Sequence, residues 1–209
     1  VGELGLGSAL IQMKESEIKP IHLNTVFWSS ILINIILYII VVIAIAPFTV
    51  WFYGKPILFS VISVLSIQIV IKSFLVVPKV LLTRHLDFKK INLIEIVSSV
   101  IAGICALLMA SRGAEVWSIV FMGMISALIS LPLFWYYIKW RPKLSFSKLA
   151  LKDVFSKGAF DTLQRVFMSL TSNIDYLFIG KLVSSVALGY YTFAFVITDT
   201  FRQQIMSVL

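Results

Sequence analysis

Charge is scarce in this 209-residue chain: Asp, Glu, Lys and Arg make up 13% of it, against 59% hydrophobic residues. A soluble domain usually carries about 25% charged residues. So much apolar surface has no place around one water-facing core, whereas a bilayer accepts it. The composition therefore predicts an all-α, polytopic transmembrane helix bundle. Cysteine is scarcer still. The one cysteine, Cys105, lies inside an apolar run. It excludes an intrachain disulfide and a cysteine-based metal site, and it reads as a small packing residue. His22 and His85 stand far apart in charged loops, without ligand spacing, so no metal is expected and both read as solvated. There is no phosphate-cradling glycine loop, no Gly-x-Ser-x-Gly and no Asp-x-Asp. An enzyme is not expected, and no cofactor is called for.

What the chain does have is long apolar runs. About 20 apolar residues cross the hydrocarbon. Four runs meet that length well: residues 26–47, 58–77, 91–110 and 116–138. A fifth, 159–179, holds Asp161, Gln164, Arg165, Asn173 and Asp175; a sixth, 186–209, holds Asp199, Arg202, Gln203 and Gln204. Residues 1–11 read as the tail of an earlier helix. The chain opens on Val1 and stops at Leu209 within an apolar run, so it reads as a fragment.

The formal charge of +8 is distributed like a topology signal rather than a nucleic-acid footprint. Alternate connections, 12–24, 83–90 and 139–157, carry Lys14, Lys19, Arg84, Lys89, Lys90, Lys139, Arg141, Lys143, Lys148, Lys152 and Lys157. The intervening ones, 48–57, 111–115 and 180–185, carry only Lys55, Arg112 and Lys181. Eleven against three places the first set in the cytoplasm. Trp28, Trp51, Tyr53, Trp117, Trp135, Tyr136, Tyr137 and Trp140 gather near run ends, as interfacial aromatic belts do. Within 139–157, residues 148–155 have the pattern of a short amphipathic helix lying on the anionic inner leaflet; an ordinary solvated basic loop fits the same residues. Small residues four apart in 91–110, such as Ser98 with Ala102, allow close helix approach.

Intramembrane charge is costly and usually faces a bundle interior or a wet cavity. At 100° per residue, Asp161, Gln164, Arg165, Met168, Ser172 and Asp175 fall within roughly 60° of one meridian. Asp161 with Arg165 and Asp199 with Arg202 are spaced to neutralise each other in part. These stripes read either as the lining of a hydrated cavity, in which Arg165 and Arg202 draw a phosphate-bearing substrate, or as pairs that fix helix rotation. Lys72 reads as a snorkelling interface cation or as a further cavity cation. Glu95 is expected to stabilise its helix terminus beside Lys89 and Lys90.

Four stretches carry a family resemblance: GELGLGSALIQ (2–12) with NTVFW (24–28), VPKVLLTRHLDFKKI (77–91), KWRPKLSFS (139–147) and NIDYLFIGKLVSSVALGYYTFA (173–194). In order and spacing the chain resembles polysaccharide (O-antigen, lipopolysaccharide) flippases of the multidrug/oligosaccharidyl-lipid/polysaccharide exporter superfamily. The resemblance implies twelve or more helices in two six-helix lobes, multi-pass in the bacterial inner membrane. It assigns residues 1–138 to the remainder of the first lobe, from the end of helix two to helix six. Residues 139–158 become a basic cytoplasmic interlobe connection, and 159–209 the start of the second lobe, helices seven and eight. It further implies alternating-access export of an undecaprenyl-pyrophosphate-linked oligosaccharide for O-antigen, capsule or exopolysaccharide. The partners it implies are membrane lipids and other polysaccharide assembly proteins, not nucleic acid. Arg165 or Arg202 would then hold the pyrophosphate, with Asp161, Asp175 and Lys72 in the same site, although no family motif fixes the two arginines. A cation-coupled drug antiporter of the same superfamily, with Asp161 or Asp175 as its acid, is the alternative. A polysaccharide-synthesis membrane enzyme fits the short outer loops less well, and a purely structural assembly subunit is a third reading.

Overall fold

A computed structural model describes residues 5–206, apart from the side chains of Ser16 and of a set of positions between 157 and 206 that includes Asp161, Arg165 and Arg202. Every regular element among the described residues is helical. In chain order these are α1 (Leu6–Gln12), α2 (Pro20–Ile40), α3 (Ala46–Tyr53), α4 (Ile57–Ser73), α5 (Val76–Arg84), α6 (Phe88–Ser111), α7 (Val116–Tyr137), α8 (Lys148–Leu182) and α9 (Ser185–Met206). The chain divides into two compact units, Val1–Thr162 and Leu163–Leu209.

The first unit is a multi-pass bundle. Pro20–Tyr53, Phe88–Ser111 and Val116–Tyr137 are each long and apolar enough to span, and the bent pair Ile57–Ser73 and Val76–Arg84 makes a fourth candidate. Proline shapes two of these. Pro47 does not end its run as expected from the sequence. A π-helical segment, Val41–Ile45, precedes it, closed by Ala46 N–H to the Val41 carbonyl, and the helix continues to Tyr53. The widened turn relieves the clash of the proline ring with the carbonyl four residues back. Pro78 acts more sharply. Its ring excludes the Phe74 carbonyl, so α4 ends in i→i+3 bonds (Phe74 N–H to Ile71, Leu75 N–H to Lys72), and the axis turns by 47° into α5. The far ends of the spans close on glycine: Gly54 at φ +67 after α3 and Gly113 at φ +82 after α6, where left-handed backbone is free of a Cβ clash.

Unit 1 reverses the soluble pattern along much of its length. Buried positions in the bundle include Ser30 and Asn34 of α2, Ser66 and Ser73 of α4, Ser98 of α6 and Ser130 of α7. Outward positions are apolar, with Leu32 61%, Ile43 71%, Leu107 72% and Ile119 71% exposed, as a lipid-facing surface requires. Several buried polar groups bond their own helix: Asn34 Nδ2 to Ser30 O (2.8 Å), Ser66 Oγ to Ile62 O (2.6 Å) and Ser73 Oγ to Val70 O (2.6 Å). On α6 the buried residues Ile91, Ile94, Ser98 and Ala102 form one stripe, and this helix packs most extensively on α7. The small pair Ser98 and Ala102 read from the sequence lies on that stripe, whereas Ser99 and Ala110 are exposed.

At the basic end the pattern returns to that of a water-facing core. Leu6, Ala9, Leu10, Val26, Phe27, Val76, Val77, Val80 and Val154 form one buried cluster, and Leu75, Leu82, Ile91, Ile94, Phe134 and Ile138 a second. His22 belongs here. It is 9% exposed rather than solvated, and its Nδ1 accepts the Lys19 N–H at 3.1 Å, capping the start of α2. Helix α2 therefore begins inside a packed core and emerges into lipid only after about three turns.

Candidate functional site

The polar stripe of the sequence maps onto α8 and α9. Helix α8 comprises Lys148–Leu182, and its turn keeps Gln164, Met168 and Asp175 near one face. Gln164 Nε2 reaches Met168 Sδ at 3.9 Å and both are exposed. Ser184 caps α9, its Oγ accepting the Ala187 N–H at 3.0 Å, and the two-residue link returns α9 antiparallel to α8. Tyr191 of α9 donates its hydroxyl to one carboxylate oxygen of Asp175. The other oxygen, Oδ1, is enclosed and has no hydrogen-bond partner among the described residues. Around this link Tyr176 meets Tyr191 at 5.5 Å and Phe195 at 5.9 Å, both edge-on, and Tyr191 stacks on Phe195 at 6.0 Å. Asp175 is thus held at an aromatic helix–helix seam.

The other sequence candidates fare differently. The side chains of Asp161, Arg165 and Arg202 lie outside the described residues, and so do their two ion-pair readings. Lys72 occupies the last turn of α4 with its side chain exposed. Glu95 does not serve its own helix terminus: it pairs with Lys79 of α5 at 2.8 Å. Among the described residues no group of three or more His, Cys, Asp or Glu comes together as a metal site.

The sequence pattern missed two anchors at the basic end. Arg84 Nη1 donates to three carbonyls, Leu10 (2.7 Å), Ile11 (3.1 Å) and Met13 (2.7 Å), gathering the last turn of α1. Asn24 holds the non-helical strap of residues 138–147. Its Nδ2 donates to Ser145 Oγ (2.7 Å) and its Oδ1 accepts the Lys143 N–H (3.2 Å). Trp28 Nε1 donates to the Lys143 carbonyl (3.0 Å), and Thr25 Oγ1 accepts the Ser147 N–H (3.1 Å). Arg141 caps the end of α7 through Ile138 O (2.6 Å) and lies over Trp135, while Phe27 meets Trp28, Phe74, Trp135 and Trp140 edge-on. Two of the four stretches that carry the family resemblance, 24–28 and 139–147, therefore meet in space.

Comparison with known proteins agrees with the membrane architecture. The family model described as "Polysaccharide biosynthesis protein" matches residues 1–209. The chain is 28% identical over 196 residues to the teichuronic acid biosynthesis protein TuaB of Bacillus subtilis, covering 92% of this chain and 40% of that protein. It is 24% identical to the lipopolysaccharide biosynthesis protein WzxC of Escherichia coli, covering 93% of this chain and 39% of that protein. It is 25% identical to the succinoglycan biosynthesis transport protein ExoT of Rhizobium meliloti, covering 70% of this chain and 29% of that protein. The chain thus spans two fifths or less of the length of these relatives. No solved structure matches it. With its model matched from the first residue to the last on a multi-pass helical bundle, the chain belongs to the polysaccharide biosynthesis protein family.

Proposed function

We propose that the full-length protein is a flippase that carries an undecaprenyl-pyrophosphate-linked oligosaccharide repeat across the cytoplasmic membrane by alternating access. The observation that carries this reading is the family match along the whole chain, with a relative named as a transport protein. The physical support is ionisable side chains within the apolar stretches 159–179 of α8 and 186–206 of α9, where bare lipid would exclude them. In this reading residues 1–138 complete a first lobe, 139–158 connect the lobes and 159–209 open a second, in a chain of twelve or more helices. Arg165 and Arg202 supply the cationic wall, since a guanidinium binds phosphate oxygens bidentately and stays charged. Asp161, Asp175 and Lys72 complete the lining, and the glycan uses the wet path while the lipid tail stays in the bilayer. The protein itself moves its cargo without making or breaking a bond.

Expression of the full-length gene in a flippase-deficient strain making the matching sugar repeat is expected to restore surface polymer and deplete the accumulated lipid-linked repeat. Arg165→Ala or Arg202→Ala should reduce export while membrane insertion stays intact; unchanged export in both would refute the arginine assignment. The enclosed Asp175 oxygen supports a second reading, a cation-coupled drug antiporter, because such a transporter needs an intramembrane acid. Failure to rescue with proper insertion, together with drug efflux lost in Asp175→Asn, would favour it.

A further inference from the structure

The strap of residues 138–147 tucks Ile138 and Trp140 into the core at its start, but over residues 144–147 it is clasped on one side and bare on the other, with the sense of its polarity reversed. The Ser145 hydroxyl and the Ser147 N–H face α2, where Asn24 and Thr25 satisfy them, and Ser147 Oγ caps α8 by accepting the Ala150 N–H at 3.3 Å. Leu144 and Phe146, between and beside them, point away and are 91% and 54% exposed. A strap built for water would turn its apolar residues inward and its serines outward. Leu149, in the first turn of α8, continues the bare apolar row at 75% exposure. Of the amphipathic segment expected from the sequence, Phe155 is also exposed, at 55%, whereas Ala150 and Val154 are buried and Leu151 packs against the unit 1 core.

Exposed cations flank the same row: Arg141, Lys143, Lys148 and Lys152, with one nearby acid, Asp153. The strap starts directly where the spanning helix α7 ends at Tyr137, and exposed aromatic Tyr136 lies in that last turn. Apolar side chains interleaved with lysines beside a membrane helix complement an anionic lipid surface. The side chains enter the acyl boundary, and each cation near the surface contributes attraction to the headgroups.

We propose that residues 141–149 form a membrane-surface strap that binds anionic phospholipid headgroups, with Leu144, Phe146 and Leu149 inserted and Lys143 and Lys148 on the phosphates. Asn24 is its positioning residue, because it fixes the side of the strap that stays bare. This assignment depends on the membrane placement of the bundle and not on what the protein transports.

The test uses the full-length protein with its cysteines replaced and a single nitroxide label at Leu144→Cys or Phe146→Cys. It is reconstituted in phosphatidylcholine vesicles with or without phosphatidylglycerol. Collision with oxygen relative to an aqueous nickel chelate is expected to rise about twofold or more when the anionic lipid is included. Lys143→Gln with Lys148→Gln should abolish that rise, and Asn24→Ala should increase label mobility. A label open to nickel in both mixtures, meaning a solvated loop, overturns the proposal. So does a label shielded from both reagents, meaning cover by protein, or one that meets lipid equally in both mixtures.

Discussion

The two ends of unit 1 are held by different physics. At the basic end, water is available to drive apolar burial, and the chain builds a core around Leu10, Val26, Phe27 and Val77. Around it run long-range side-chain bonds: Arg84 to α1 across 71 to 74 residues, and Asn24 to the strap across 119 to 121. At the opposite end, α3 turns into α4 through Gly54, and α6 into α7 through Gly113, with φ positive at both glycines and open space where a Cβ would sit. Lipid tails are as apolar as the side chains there, so burial supplies little drive and short backbone turns do the joining. Anchoring at one end and tight turning at the other suit a bundle whose basic end must hold shape in water.

The contrast can be broken by substitution in the full-length protein, read as thermal or denaturant stability in detergent. The largest effect is expected for Arg84→Ala, which strips three carbonyls of a charged donor; a loss of about 2–3 kcal/mol is expected, with partial recovery in Arg84→Lys. Gly113→Ala at the other end should cost about 1 kcal/mol, all of it backbone strain, because nothing lies within 4 Å of the added methyl. If it destabilises as much as Arg84→Ala, the two ends are not built differently. Glu95→Gln should shift stability least, by under about 1 kcal/mol, since the Lys79–Glu95 pair is 40% and 49% exposed. A larger loss would mean that the pair sits in a less polar medium than its exposure suggests.

The spans were legible because a bilayer imposes a length on apolar runs, and that constraint acts locally along the chain. Runs 58–77, 91–110 and 116–138 coincide with helices to within a few residues, apart from the Pro78 bend, which the apolar run conceals. Polar anchors were not legible. Asn24 and Arg84 look like ordinary loop-flank residues until the chain brings their partners over, and no periodicity encodes a contact 119 residues away. His22 was misread for the same reason: its charged neighbours suggested water, while the burial comes from packing. Of the stripe on α8 and α9, the helical phase was readable in advance. The Asp175–Tyr191 link was not, because it depends on how two helices pair rather than on the spacing within one.

The π-helical segment before Pro47 also affects how this span tolerates insertion and deletion. A residue removed from most of Pro20–Tyr53 would rotate everything beyond it by about 100°, turning lipid-facing positions toward the bundle. Within Val41–Ile45 the helix already carries one residue more than an α-turn needs. Deleting one there restores the ordinary turn and shortens the span by about 1.5 Å with both faces still in phase, but it also returns the Pro47 ring to the carbonyl four residues back. The extra residue and the proline therefore act as a pair: removing the residue leaves this helix straight and in register only when Pro47 is replaced as well.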